Sequence, residues 1–389
     1  MKGHIRERSP GRWAIVIDVR DPQTGKRKRR WHSFEGTKRQ AQIECARLVS
    51  ELQHGGAIEP SRITVGQFLD RFERDWLATH VTTRSAERYA YALKHVRRHL
   101  GDRSLQKLQP ANLAALYAEL FRGGLASPTI KLIHRVLHRA LGQAKVWGVI
   151  RDNPAELAKP PREPDRETEM LQPDRAAELL ERLRGRPFYM LASLALATGM
   201  RRNEMLALRW QDIDLDGGRL TVEQALEQTA AHGIRVKAPK TRHGRRTISL
   251  PVHIVTELRQ HWREQQELRL AMGLGKAPDD TPVFATPDGG YMNQGTVTRQ
   301  WTEQVAAIGM PGVKLHSLRH THASMLIAGG VDVLTVSRRL GHASPTITLN
   351  VYGHLINGGD DRAAQIVAAA FGSKMVADGG KRTNKIGPN

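Results

Sequence analysis

Two glycine- and proline-rich stretches divide this 389-residue chain into three parts, because neither stretch favours a helix or a strand. The first contains Gly55, Gly56 and Pro60, and the second is the charged run from Lys159 to Pro164. Proline-rich stretches are extended, and a chain of this length is long for one hydrophobic core. We therefore predict a multidomain protein with parts at residues 1–56, 62–157 and 168–372. Residues 373–389 carry no apolar periodicity and are predicted to be a disordered tail.

The spacing of apolar residues predicts a mainly helical protein with small β-sheet parts. In the first part, a β-type run at 12–19, a turn signal at 21–25 and a second run into 31–34 precede a helix at 37–53 that Thr37 caps. We expect a small domain of β-sheet plus helix. The middle part repeats apolar residues at helical spacing from Val65 to Leu141, which predicts an all-helical domain.

The last part combines helices and strands. Residues 187–198 are strongly apolar and are predicted to form a buried helix that ends at Gly199. Two β-type runs, 220–222 and 247–250, flank a basic turn, and the pattern from Pro251 onward is mainly helical. We expect a mixed α+β domain here.

The net charge of +21 predicts a polyanionic partner, either nucleic acid or an anionic membrane surface. A membrane is disfavoured because the longest apolar stretch, Tyr189 to Met200, is too short to span a bilayer. With Cys45 as its one cysteine, the chain can form neither an internal disulfide nor a cysteine-based metal cluster. The N-terminal residues lack the apolar region of a secretory signal, so we expect a cytoplasmic protein with access to DNA.

The last part contains the residue types needed to break and rejoin a DNA phosphodiester without a metal. That chemistry needs a nucleophile, cations for the non-bridging oxygens, an acid for the leaving 5′-oxygen and a group that takes the nucleophile's proton. Tyr352 is the candidate nucleophile, although a tyrosine standing alone is more often a packing residue. Its phenol, with a reference pKa of about 10, needs cationic neighbours and a base.

Arg201 and Arg319 are the candidate phosphate ligands, because a guanidinium can bind phosphate through two parallel hydrogen bonds. Arg202 competes with Arg201 by residue type. His316 lies three residues before Arg319, so the two share a face if the segment is helical. His316 could then act as the base toward Tyr352 or donate a hydrogen bond to the transition state.

The basic turn between the two β-type runs supplies the candidate general acid, Lys240, with Lys237 as a rival. The same turn could simply bind phosphates, which would suit Arg242, Arg245 and Arg246. A second basic run has two interpretations, a sheet face that contacts DNA phosphates or a solvated loop; it consists of Lys26, Arg27, Lys28, Arg29 and Arg30.

Taken together, the motifs Thr198-Gly-x-Arg201-x-x-Glu204, His316-x-x-Arg319, Leu340-Gly-His342 and Tyr352-Gly-His resemble the tyrosine recombinase (phage integrase) family. The resemblance favours Arg201 and Lys240 over their rivals and makes His342 a second histidine that donates to the phosphate. It implies cleavage through a 3′-phosphotyrosyl intermediate, a helical core-binding domain, and an N-terminal domain that binds arm-type DNA sites.

The resemblance also implies a homotetramer on double-stranded DNA, encoded by a phage or other mobile element and assisted by accessory DNA-bending or directionality proteins. Residues 363–371 could then dock on a neighbouring subunit, or they could close their own domain. A type IB topoisomerase and a non-catalytic DNA-binding protein are the alternatives. No nucleotide-binding signature is present and no cofactor is expected, and His316, His320 and His322 are a weak zinc candidate because Arg319 would repel a cation.

Overall fold

The computed structural model describes residues 3–20, 27–53, 61–162, 170–239, 242–355 and 363–371. The chain forms two compact units, Met1–Asp165 and Arg166–Asn389. The predicted turn at 21–25 and the predicted tail at 373–389 lie outside the described residues, as does most of the first predicted linker.

The N-terminal segment is a three-stranded antiparallel sheet followed by one helix, as the sequence predicts. The elements are β1 (Gly3–Ser9), β2 (Arg12–Arg20), β3 (Arg27–Glu35) and α1 (Lys38–Gln53), with β2 in the centre of the sheet. Ile15 and Ile17 of β2 pack with Cys45 of α1 in a small core. Thr37 caps α1 as predicted, because its hydroxyl accepts from the Gln40 amide at 3.4 Å while the Gln40 side chain accepts from Thr37 N at 2.9 Å.

The rest of the first unit is helical. Its elements are α2 (Val65–Phe72), a π-helical turn (Glu73–Leu77) that runs into α3 (Ala78–His80), α4 (Thr83–Leu100), α5 (Pro110–Arg122) and α6 (Ser127–Val146). The apolar residues that predicted these helices are buried together, with Phe68, Leu93 and Leu137 fully inaccessible. The prediction of a helical domain is therefore confirmed in type.

The second unit is mixed, as expected. It contains α7 (Pro173–Leu183), α8 (Tyr189–Thr198), α9 (Arg202–Met205), β4 (Ile213–Asp214), β5 (Arg219–Val222), β6 (Ala225–Thr229), β7 (Gly233–Lys237) and β8 (Arg246–Ser249). The following helices are α10 (Val252–Ala271), α11 (Gln294–Ala307), α12 (Leu315–Ala328), α13 (Val333–Leu340), α14 (Pro345–Tyr352) and α15 (363–371). The strands form a sheet in the order β4-β5-β8 and a β6-β7 hairpin.

Helix α8 lies in the centre of this unit because it is apolar on nearly every side, and α7, α10 and α12 pack around it. It ends at Gly199, whose φ of +64° reverses the chain.

Helix α15, unlike α8, is exposed along its length, and Ile366 and Phe371 are each 62% accessible. Within the part of the chain that the structure describes, α15 therefore does not close its own domain. No described helix combines the length and apolar character needed to cross a membrane.

Candidate active site

Arg201 lies just after the turn that ends α8 and just before α9. A side chain at Gly199 would place its Cβ 2.5 Å from the ring of His322, so only glycine fits this left-handed position. The Arg201 guanidinium donates from Nη1 to Glu204 at 2.8 Å and from Nη2 to the carbonyl oxygen of Gly341 at 2.9 Å. Its side chain remains 40% exposed, so it is fixed at one edge and open at the other.

Arg319 lies on α12 and is buried, with 3% of its surface accessible. It donates from Nη1 to the Gly199 carbonyl at 2.6 Å and from Nη2 to the Leu340 carbonyl at 2.8 Å. These bonds join the ends of α8 and α13 to α12. Burial, together with the charge of Arg201, lowers the pKa of Arg319 to about 9, so the guanidinium is still charged at neutral pH.

Glu204 is the buried anion between the cations of the site. It is 4% exposed and accepts hydrogen bonds from the Arg201 amide at 3.0 Å and from Arg246 Nη2 at 2.8 Å. Burial opposes ionisation, but Arg246 and Arg201 outweigh it and hold the pKa of Glu204 below its ordinary value. The carboxylate therefore stays ionised and orients Arg201.

Tyr352 ends α14 with 1% of its surface accessible. Its hydroxyl lies 2.6 Å from Nδ1 of His320, and the two rings are 5.8 Å apart between centroids. Burial raises the pKa of Tyr352 to about 12, and the nearby charge of Arg319 opposes that rise. To act as a nucleophile at neutral pH, a phenol with this pKa would need a base close to its oxygen.

The sequence suggested His320 only as a weak zinc candidate with His316 and His322, and the structure places it beside the Tyr352 hydroxyl. Burial, followed by the effects of His316 and Arg319, lowers the pKa of His320 to about 4. The imidazole is therefore neutral at pH 7, and in the tautomer that carries its proton on Nε2, its Nδ1 accepts the hydrogen bond from the Tyr352 hydroxyl. His316 contacts His320 edge-on, with centroids 4.8 Å apart, and among the described residues the Tyr352 hydroxyl bonds to His320 rather than to His316.

His342 follows Gly341, which has a φ of +67° at the end of α13. Its Nδ1 lies 2.8 Å from the hydroxyl of Thr348, a buried residue one turn before Tyr352 on α14. Burial and the charges of Arg319 and Arg201 lower the pKa of His342 to about 4. The structure therefore connects the histidine after α13 to the helix that carries the tyrosine.

His322 is a structural residue. Its Nδ1 is 2.7 Å from the carbonyl of Leu196 and must carry a proton to donate there, so Nε2 accepts from Arg339 Nε at 3.2 Å. Burial lowers the pKa of His322 to about 4, which fits the neutral tautomer. In the described parts of the chain, no group of three or more His, Cys, Asp or Glu residues could hold a metal ion.

The rivals named from the sequence are engaged elsewhere. Lys237 forms an ion pair with Glu227 at 2.6 Å, and Arg202 bonds to Thr298 on α11. Lys240 itself lies outside the described residues, so its assignment as the general acid stays a prediction.

The predicted DNA contacts fall into three groups. Exposed arginines with weak partners are Arg29, whose Nε is 3.3 Å from Asp18, and Arg245, whose Nε is 3.5 Å from Glu223. Lys26 and the side chains of Arg27, Lys28, Arg30 and Arg242 lie outside the described residues. Arg246 differs from both groups because its side chain is 7% exposed and faces the protein interior. Its donors already bond within the protein, and its contact with DNA stays a prediction.

The sequence and fold match known proteins over most of the chain. The family model described as the phage integrase family matches residues 169–357. A tyrosine recombinase described as XerC-like, from Caldanaerobacter subterraneus subsp. tengcongensis, is 26% identical over 367 residues, or 88% of this chain and 92% of the relative.

Two solved structures share the fold. The Tn1549 transposon integrase in complex with a circular intermediate DNA aligns with a TM-score of 0.65 and 21% identity, covering 79% of this chain and 99% of that one. A lambda integrase tetramer bound to a Holliday junction aligns with a TM-score of 0.56 and 21% identity, covering 89% of this chain and 94% of that one.

Proposed function

The chain belongs to the tyrosine recombinase (phage integrase) family of site-specific DNA recombinases, and we propose that it cleaves each DNA strand with Tyr352 as the nucleophile. The observation that carries this proposal is the 2.6 Å hydrogen bond between the Tyr352 hydroxyl and a neutral His320. A buried phenol paired with a neutral imidazole beside two arginines is suited to in-line attack on a phosphodiester.

In the cleavage step the Tyr352 oxygen bonds to phosphorus and the bond from phosphorus to the 5′-oxygen breaks, leaving a 3′-phosphotyrosine. The phenol proton passes to Nδ1 of His320, and the leaving 5′-oxygen takes a proton from Lys240. Arg201 and Arg319 donate to the non-bridging oxygens through the N–H groups that the protein carbonyls leave open. Rejoining is the same step reversed, with the 5′-hydroxyl of the partner strand as the nucleophile.

The two remaining histidines act on the phosphate. His342 is held at Nδ1 by Thr348, which leaves Nε2 for a non-bridging oxygen. Of the two roles that the sequence allows for His316, we propose hydrogen-bond donation to the transition state, because His320 occupies the position of the base. No nucleotide is required in this scheme, since the phosphotyrosine conserves the bond that the 5′-hydroxyl later attacks, and the two arginines supply the positive charge that the phosphate needs.

The assembly proposed is a homotetramer on two double-stranded core sites, with the N-terminal sheet on arm-type sites. The exposed apolar residues of α15 and the likeness to a lambda integrase tetramer support the tetramer. The likeness to a transposon integrase supports integration and excision of a mobile element. Accessory DNA-bending or directionality proteins are proposed as further partners.

The test is to mix the full-length protein with a supercoiled plasmid carrying the DNA that flanks its own gene, in EDTA, and to measure the SDS-resistant protein–DNA adduct. We expect an adduct with the unmodified protein and with Tyr189→Phe, and none with Tyr352→Phe. Tyr189 is a matched control because it is a tyrosine of the same unit whose hydroxyl bonds to Glu257 at 2.6 Å. An adduct of normal yield in Tyr352→Phe would contradict the proposal, and relaxation without joining of two sites would favour a topoisomerase.

A further inference from the structure

Arg246 is the first residue of β8 and follows the basic turn that contains residues 242–244. Its guanidinium makes three hydrogen bonds inside the protein. Nη2 donates to Glu204 at 2.8 Å, Nε to the carbonyl of Arg339 at 2.6 Å, and Nη1 to the carbonyl of Gly244 at 3.0 Å. One side chain therefore contacts the helix after Arg201, the last turn of α13 and the end of the basic turn.

The close packing around Gly341 shows how tightly this side chain fits. A Cβ added at Gly341 would lie 2.8 Å from Nη1 of Arg246 and 3.1 Å from the carbonyl of His243. The carbonyl of the same glycine accepts the hydrogen bond from Arg201 Nη2. The backbone before His342 is thus held between Arg246 on one side and Arg201 on the other.

The chemistry of these contacts fits positioning better than phosphate binding. Glu204 uses one oxygen for Arg201 Nη1 and the other for Arg246, so a shift of Arg246 moves the carboxylate that orients Arg201. The guanidinium is planar, and it satisfies a carboxylate and two carbonyls that a lysine ammonium could not reach together. Each of its three guanidinium nitrogens already donates a hydrogen bond within the protein.

We propose that Arg246 is a positioning residue that couples the basic turn to the phosphate ligands. It orients Arg201 through Glu204, and it fixes the end of α13, just before His342, through the carbonyl of Arg339. The inference rests on the proposed function and extends it to a residue outside the predicted catalytic set. Docking of the basic turn on DNA would then align Arg201 and His342 in the same movement, because all three are connected through one side chain.

The test compares two synthetic duplexes that carry the cleavage site mapped by the adduct experiment. One has the ordinary scissile phosphate, and the other has a methylphosphonate, in which a methyl group replaces a non-bridging oxygen and removes the negative charge. Neutralising arginines are not needed for attack on the uncharged phosphorus. A defect that acts through Arg201 should therefore be rescued by the methylphosphonate, whereas a general loss of structure should not.

For Arg246→Gln we expect adduct formation on the ordinary phosphate to slow by about 100-fold, in line with loss of one aligned donor. On the methylphosphonate duplex, the rate of the variant should lie within about 10-fold of the rate of the unmodified protein on that same duplex. The affinity of the variant for DNA should change by less than about 3-fold, because no phosphate contact is lost. Arg209→Gln is the matched control, since Arg209 forms a comparable ion pair with the buried Asp212 at 2.7 Å, away from the site.

Replacing Arg246 removes one of the two cations, Arg201 and Arg246, that pair with the buried Glu204, so Arg246→Gln is studied beside Arg246→Gln with Glu204→Gln, which removes both charges of the buried pair. The double variant should show the same rescue. Equal losses on both duplexes, an unchanged rate on the ordinary phosphate, or unfolding of both variants would overturn the proposal and leave Arg246 a structural residue or a dispensable one. The unmodified protein is run on the same gel. If it forms the adduct, the proposed function stands and the result for the variants bears on Arg246 alone; if it does not, the proposed function itself has failed.

Discussion

Replacing His320 by asparagine should convert the proton transfer from Tyr352 into a hydroxide-dependent step. The asparagine amide can keep a hydrogen bond near the Nδ1 position but cannot take a proton. With the pKa of Tyr352 raised to about 12, only about one molecule in 10⁵ is a phenolate at pH 7 without a base. General base catalysis typically contributes about 10²- to 10⁴-fold, so we expect the cleavage rate at pH 7 to fall by that factor.

The pH dependence is the sharper observable. In the unmodified protein, His320 has a pKa lowered to about 4 and is neutral above pH 6, while Arg319, with a pKa of about 9, stays charged below pH 8, so the single-turnover rate should be nearly flat from pH 6 to 8. The groups that face it are His316 and Arg319 on its own helix, Tyr352 on α14 and His342 after α13. In His320→Asn the rate should rise tenfold per pH unit over the same range, because phenolate formation then limits it.

The assay is adduct formation on a suicide duplex, with a nick beside the scissile phosphate so that cleavage is irreversible. His253→Asn, on an exposed face of α10, is the control and should behave like the unmodified protein. If His320→Asn keeps a flat profile and a rate within about 3-fold of the unmodified protein, far short of a general-base loss, the assignment of the base is refuted. A steep profile in His316→Asn instead would return the role to His316.

Three further changes test other parts of the account. Arg201→Lys should slow cleavage by about 100-fold despite keeping the charge, because lysine cannot reproduce the bonds to Glu204 and Gly341, and a rate near normal would contradict this. Gly341→Ala should destabilise the protein and impair cleavage more than Gly273→Ala, since both have positive φ but only Gly341 has atoms within 4 Å of the added Cβ; calorimetry and adduct yield should separate them. Because the pKa of buried His322 is lowered to about 4 in the folded state, it contributes stability that is present above pH 6.5 and lost as pH falls toward 4, by up to about 3 kcal/mol; His322→Asn should remove this contribution from the pH profile of urea unfolding and leave those of His320 and His342, whose pKa values are lowered alike.

The sequence predicted those features that depend on neighbouring residues. Thr37 was identified as a helix cap from local pattern, and the capping hydrogen bonds are present. The apolar run before Gly199 predicted a buried helix that ends at that glycine, and the structure ends α8 there with a φ of +64°. Spacing of three residues also placed His316 and Arg319 on the same helix, α12.

Residues whose roles depend on distant partners were less predictable. His320 lies four residues after His316, so both face the same side of α12, but the sequence does not reveal which of them meets Tyr352. That choice is made by the packing of α14 against α12. The four-residue spacing of His316 and His320 does indicate that the two side chains lie close together, as a zinc pair would require.

Arg246 shows the same limit more strongly. Its partners, Glu204 and Arg339, lie 42 and 93 residues away along the chain, and nothing in a basic turn distinguishes an inward-facing arginine from an exposed one. Arg245, the residue before β8, is 63% exposed in its side chain.

The most direct test of the central claim is to identify the bond in the covalent adduct. The adduct is digested with trypsin and nuclease, and the modified peptide is sequenced by mass spectrometry. The account predicts a nucleotide joined through its 3′-phosphate to Tyr352 and a free 5′-hydroxyl on the other DNA end. Attachment to another residue, or a 5′-phosphate linkage, would contradict it.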